Sequence, residues 1–198
     1  RSGMGEQTVA RDLEAQGGGR MLAAVARYAK SGDTIHAAEG TYDEGEMLQD
    51  TPIVGGVPSV PARVLVKEGV ALVADGAAEN TFIIGEADRT DARDYLDNGP
   101  DAVRCVGLAA NSLIRGFTLT GGHTAVLPDA TDESRSNDNT LGGAVFGANN
   151  ESSLVENCII TNNAAGWATA GYKCKFRKCV IIGNRAQTRA VAGRQCRY

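Results

Sequence analysis

Long apolar runs are missing from the chain. No stretch of about 18 apolar residues occurs, so no membrane-spanning helix is expected. Proline is scarce, at 5 of 198 residues, which excludes a collagen or a Pro-rich linker. There are only 2 histidines, and the cysteines Cys105, Cys158, Cys174, Cys179 and Cys196 show no metal-ligand spacing. They are also too few and too scattered for a disulfide framework. Excess positive charge is absent: the net charge is −4 and the pI about 5.2, which argues against a nucleic-acid partner. No secretory leader is read at Arg1-Ser-Gly-Met, which leaves the compartment open.

What the chain does have is glycine and a core. Glycine, at 25 residues, is about twice its usual ~7% share. Apolar residues make up 42%, enough to argue against disorder. The length predicts one domain with a sizeable core.

Three segments align: Ile114-Arg-Gly-Phe-Thr-Leu-Thr-Gly-Gly, Val155-Glu-Asn-Cys-Ile-Ile-Thr-Asn-Asn and Phe176-Arg-Lys-Cys-Val-Ile-Ile-Gly-Asn. Cys158 and Cys179 lie 21 residues apart, and Gly171 and Gly193 lie 22 apart. A weaker earlier copy runs through Val64–Val66, Val70–Val73 and Phe82–Gly85. The apolar stretches of each unit are too short for helices and alternate with the period of strands. Glycine and asparagine between them suit left-handed corners. Such a unit can coil once and stack on the next, with strands of adjacent coils paired in parallel. The alignment predicts three inward columns: Phe117, Cys158 and Cys179; Leu119, Ile160 and Ile181; and Ile114, Val155 and Phe176, with Tyr198 next. Arg115, Glu156 and Arg177 fall outward as a charge ladder. Further short strands are expected at Val103–Gly107, Ala144–Gly147, Ala168–Gly171 and Ala190–Gly193.

Residues 20–30 favour a helix instead, with Leu22, Val25, Ala26 and Ala29 on one face and Gly32 as its stop. The expected fold is thus all-β: a single-stranded right-handed parallel β-helix over 34–198. An N-terminal segment and α-helical cap occupy 1–33, within one domain overall.

The segment Ser31-Gly-Asp-Thr-Ile-His-Ala-Ala-Glu-Gly-Thr-Tyr42 after a short Ala-rich helix, with the three repeats, resembles the right-handed parallel β-helix (pectin-lyase-like) superfamily. The resemblance covers roughly residues 19–198. It implies a secreted or cell-surface protein that binds or processes carbohydrate, as a polysaccharide lyase or glycoside hydrolase if it is an enzyme. The chain lacks the adjacent Asp pair, Gly-His-Gly and Arg-x-Lys motifs of polygalacturonase-like members; Gly121-Gly-His-Thr124 is the nearest fragment. Fold barely constrains chemistry in such a superfamily.

Two acidic insertions, 86–101 and 123–140, interrupt consecutive coils at one corner, where stacking would set them side by side. His123, Asp91, Asp94 and Asp132 are candidate acid–base residues there. Asp94, Asp97, Asp101 and Asp138 are candidate oxygen ligands for Ca²⁺. The plainer reading is a pair of solvated acidic loops.

Charge is also split. From residue 157 onward there are eight cations and no acids, leaving −12 for the rest. Lys173, Lys175 and Arg177 should share an outward face, and Trp167, read as opening a strand, could stack on a sugar ring. These four are the candidate ligand-binding residues for a polysaccharide. The alternative function is a non-catalytic structural or interaction module. It would be a fragment of a longer surface protein, or an end-to-end homodimer joined through an uncapped C-terminal end.

Overall fold

The computed structural model describes residues 11–16, 18–48, 59–90, 96–125, 138–147, 152–189 and 192–193. The described chain is mostly strand, with one α-helix and several parallel sheets. Strand β1 (Asp12–Ala15) and helix α1 (Met21–Tyr28) come first. The chain then visits the sheets in a repeating order. The first circuit comprises β2 (Thr34–Ala37), β3 (Gly40–Tyr42), β4 (Met47–Leu48) and β5 (Pro61–Val66). The second comprises β6 (Ala71–Ala74), β7 (Thr81–Ile84) and β8 (Arg104–Leu108), and the third β9 (Leu113–Arg115), β10 (Thr118–Thr120) and β11 (Val145–Gly147). The fourth comprises β12 (Leu154–Glu156), β13 (Ile159–Thr161) and β14 (Ala164–Trp167), and the fifth β15 (Lys175–Arg177), β16 (Val180–Ile182) and β17 (Arg185–Arg189).

The first sheet runs β1-β2-β6-β9-β12-β15, the second β16-β13-β10-β7-β3, the third β11-β8-β5-β4, and β14 pairs with β17. Among these pairs only β4–β5 is antiparallel. Register makes the columns. Leu13, Ile35, Leu72, Ile114, Val155 and Phe176 align across the first sheet. Tyr42, Ile83, Leu119, Ile160 and Ile181 align across the second. Ile35, Leu72, Ile83, Ile114, Leu119, Val155 and Ile160 are fully buried. Burial of each such side chain is worth about 1.5–3 kcal/mol against exposure. Phe117, Cys158 and Cys179 also stack: the Ile159 amide donates to the Phe117 carbonyl, and the Val180 amide to that of Cys158, each at 2.9 Å. All three belong to the same core. Tyr198 lies outside the described residues.

Two rows of left-handed residues turn the corners. Gly116, Asn157 and Lys178 separate the first sheet from the second, with φ of 82°, 50° and 53°. Gly121, Asn162 and Gly183 leave the second sheet, with φ of 65°, 53° and 69°. Asparagine tolerates this backbone because its short side chain bonds locally. Lys178 shows that the corner, and not the residue type alone, imposes it.

Three expectations need correction. The strand placed at Ala168–Gly171 lies instead at Ala164–Trp167, so Trp167 closes a strand rather than opening one. Positive φ at Ala168 and Lys173 bends the chain out of extended structure on either side of that glycine. Within Ala190–Gly193, Gly193 and its predecessor are not strand and the first two residues lie outside the description; the strand of that circuit is β17. Third, Gly32 (φ 92°) does not stop the helix. Residue Ala29 is already extended, and Gly32 turns the chain into β2.

Strand β1 was not anticipated. It extends the first sheet beyond β2. Arg11 anchors it through a 2.5 Å ion pair with Asp33, and the Arg11 hydrogen bond holds the Asp33 carboxyl down to about 2. Helix α1 buries Leu22, Ala23 and Ala26 in the same core as Ile35 and Val64.

Candidate functional site

The circuits differ in length because of what is inserted at one corner. Val155 and Phe176, aligned across neighbouring circuits, are 21 residues apart, whereas Ile114 and Val155 are 41 apart. The described ends of the two acidic insertions meet at that corner. The Gly99 amide donates to the Thr124 carbonyl at 3.0 Å, and the Thr124 amide to Asn98 Oδ1 at 3.1 Å. The first insertion has a closed neck. Glu86 and Val103 exchange backbone hydrogen bonds at 2.9 Å, and the buried Asp88 carboxylate accepts from the amides of Thr90 and Asp101.

His123 sits between two clefts at this corner. One, of about 210 Å³, is lined by Leu96, Asp97, His123, Asn162, Asn163 and Arg185 among others. The other, of about 520 Å³, has Glu86, Arg89, Gly121 and His123 on its walls. Each cleft therefore presents one carboxylate and one guanidinium beside the shared imidazole. Asp97 takes a left-handed backbone, with φ 54°. Glu86 is held by Arg63 at 2.6 Å, itself nearly buried and donating to the Ile84 carbonyl. Asp97, Arg89 and Arg185 are exposed.

Backbone and amide groups form the floor. Gly122 is obligatory there, since a Cβ would stand 2.1 Å from the Gly143 carbonyl and 2.9 Å from the Cys105 sulfur. The Gly122 amide donates to Asn163 Oδ1 at 2.8 Å. Asn163 in turn donates to the carbonyls of Leu119 and Thr161 at 3.0 Å and to Asn184 Oδ1 at 2.9 Å. Asn184 donates to the Ile160 carbonyl, so an amide ladder continues into the last circuit. Beneath it, burial pushes the Cys105 thiol up to about 12, which keeps it protonated at neutral pH.

A second structure holds the other insertion. Arg104 is wholly buried; it donates to the carbonyls of Leu141 at 3.1 Å, Val60 at 3.2 Å and Asp138. Its guanidinium carbon lies 4.5 Å from the centre of the Phe146 ring. Burial lowers its pKa to about 9, still leaving it charged at neutral pH. No spacing in the sequence marked Arg104, whereas Asn163 and Asn184 close two of the aligned segments without their amide ladder having been read there.

The remaining candidates are spread out. Asp91, Asp94 and Asp132 lie outside the described residues. Asp101 is exposed at the neck, and Asp138 contributes its carbonyl to Arg104. Among the described residues no group of three or more His, Cys, Asp or Glu could hold a metal ion. Trp167 packs against the outer cluster of Leu141, Phe146, Ala168 and Tyr172. Lys173 lies over the Tyr172 ring at 4.8 Å, and Arg177 pairs with Glu156 at 2.7 Å. Lys175 and Arg177 flank the inward Phe176, as the alternation predicts. Among the described residues no helix is long and apolar enough to cross a membrane. Compared with family models, curated proteins and solved structures, the chain matches none.

Proposed function

We propose that the chain is a single right-handed parallel β-helix of the pectin-lyase-like kind, and that it binds carbohydrate in the paired clefts around His123. The fixed cyclic order of the parallel sheets supports the first part. One observation carries the second: His123 is shared by two adjacent clefts, each bearing a carboxylate and a guanidinium. Sugar hydroxyls both donate and accept, so a carboxylate accepts hydrogen bonds from them and a guanidinium donates hydrogen bonds to them. The clefts together reach the range of small-molecule sites. Arg89 and Arg185 bias the groove toward sugars that carry an acidic group.

Calorimetric titration with neutral and acidic oligosaccharides tests this. Binding of an acidic oligosaccharide, weakened on the order of tenfold in His123→Ala and in Arg185→Ala, is expected from the loss of one charge-assisted contact. Absence of binding to every oligosaccharide at millimolar concentration overturns it.

The second reading, an interaction module, draws support from the last circuit. Val180 and Ile182 are 56% and 64% exposed on the outer face of β16. Self-association measured by light scattering, and its loss in Ile182→Ser, would favour that reading.

A further inference from the structure

The column of Phe117, Cys158 and Cys179 places two thiols on successive circuits. Each cysteine follows a left-handed corner residue, Asn157 or Lys178, so the two backbones make the same turn one above the other. Adjacent paired strands lie about 4.8 Å apart, which falls within the Cα separations that disulfides span. Both sulfurs hydrogen-bond to carbonyls of one strand, β12. Cys158 Sγ lies 3.2 Å from the Glu156 carbonyl, and Cys179 Sγ lies 3.4 Å from the neighbouring Val155 carbonyl on that same strand. Both thiols are free. Their environments differ: Cys158 is buried beneath the last circuit, whereas Cys179 is only partly buried.

We infer that Cys158 and Cys179 form a hydroperoxide-reactive thiol pair, with Cys179 the attacking sulfur and Cys158 the resolving one. The inference does not depend on the carbohydrate reading. Cys158 beside it lowers the Cys179 thiol below its ordinary value, while burial raises that of Cys158; Cys179 is also the more exposed of the two. Cys179 therefore supplies the thiolate, which is the nucleophilic form. Its sulfur attacks one peroxide oxygen. The O–O bond breaks, the departing hydroxide takes a proton to become water, and Cys179 becomes a sulfenic acid. The Cys158 sulfur then attacks Cys179, losing its proton as the S–O bond breaks and a second water leaves. The net change is two thiols and one hydrogen peroxide to one disulfide and two waters. The product would clasp the last circuit to the one beneath it.

The test uses the full chain, treated with hydrogen peroxide and analysed by intact mass and by peptide mapping without reduction. Loss of two hydrogens, mapped to a Cys158–Cys179 crosslink, is expected. In Cys158→Ala a dimedone adduct should accumulate at Cys179, because no resolving thiol remains; in Cys179→Ala, Cys158 should stay unmodified. Absence of the crosslink in the wild-type chain, or a crosslink that uses Cys105, Cys174 or Cys196 instead, overturns the assignment.

Discussion

The first two sheets and the corner that gathers the insertions are built on opposite principles. In the sheets, each side chain sits between near-copies of itself: Ile114 between Leu72 and Val155, Leu119 between Ile83 and Ile160. Even the outer charges repeat, Glu156 lying between Arg115 at 3.1 Å and Arg177 at 2.7 Å. At the corner only the Asn163–Asn184 amide ladder repeats, and the insertions around it do not. Arg104 donates to the carbonyls of Val60 and Leu141, and Asp88 accepts from the amide of Asp101, groups that belong to loops rather than to an aligned column. A column spreads the cost of a loss over its neighbours, whereas a lone pin concentrates it. The binding groove proposed around His123 is assembled at the pinned corner and leans on the columns only as a frame.

The sharpest way to break this comparison is Arg104→Ala. It strips three carbonyls, two of them buried, of a donor and uncovers a ring, and should cost about 3–5 kcal/mol. A urea midpoint that barely moves would place Arg104 among the dispensable residues. Next come paired truncations within one column. Leu119→Ala, fully buried in the third circuit, should cost about 2–4 kcal/mol. Ile181→Ala, only partly buried in the fifth, should cost roughly half as much. Equal losses would show that the last circuit is as well supported as the middle ones.

The smallest effect belongs to the charges. Glu156→Gln should cost less than about 1 kcal/mol, since its partners Arg115 and Arg177 are largely solvated. The hydrogen bond from Arg177, with desolvation opposing it, depresses the Glu156 carboxyl below its ordinary value. Its contribution is therefore present above the unfolded pKa and disappears as pH falls through the lower folded one. Asp33 obeys the same sign over a window from 3.8 down to about 2. Acid titration followed by hydrogen exchange should release β1 in that window, because the Arg11–Asp33 pair holds it. His36 runs the other way. Its hydrogen bond to Asp75 raises its pKa, so its contribution is full below the unfolded value and fades as pH rises through the folded one.

Legibility in the sequence follows the same division. The aligned repeats were enough to put Leu119, Ile160 and Ile181 in one column and Arg115, Glu156 and Arg177 in one outward row, because a column is by definition a spacing. The two insertions were recognisable as interruptions of that spacing, and His123 as the residue at the mouth of one. Arg104 was not, since a buried guanidinium that bonds to carbonyls needs no partner of a particular type at a particular interval. Asn163 stood in the repeat, 21 residues before Asn184, but its role was not legible, because its amide serves backbone groups of two circuits and a side chain of a third. The misplaced strand near Gly171 arose because glycine was read as a strand end, whereas left-handed Ala168 is what ends β14. Strand β1 lies ahead of the repeats, with no aligned copy to reveal it.

The neck at Glu86 and Val103 has one more consequence. Backbone pairing and Asp88 tie both ends of the loop to each other, so a change of length in the path between them need not pull on the strands that flank it. Lengthening such a path costs entropy only logarithmically. The expectation is a cassette: foreign sequence inserted between Thr90 and Leu96 should leave the sheets below folding as before.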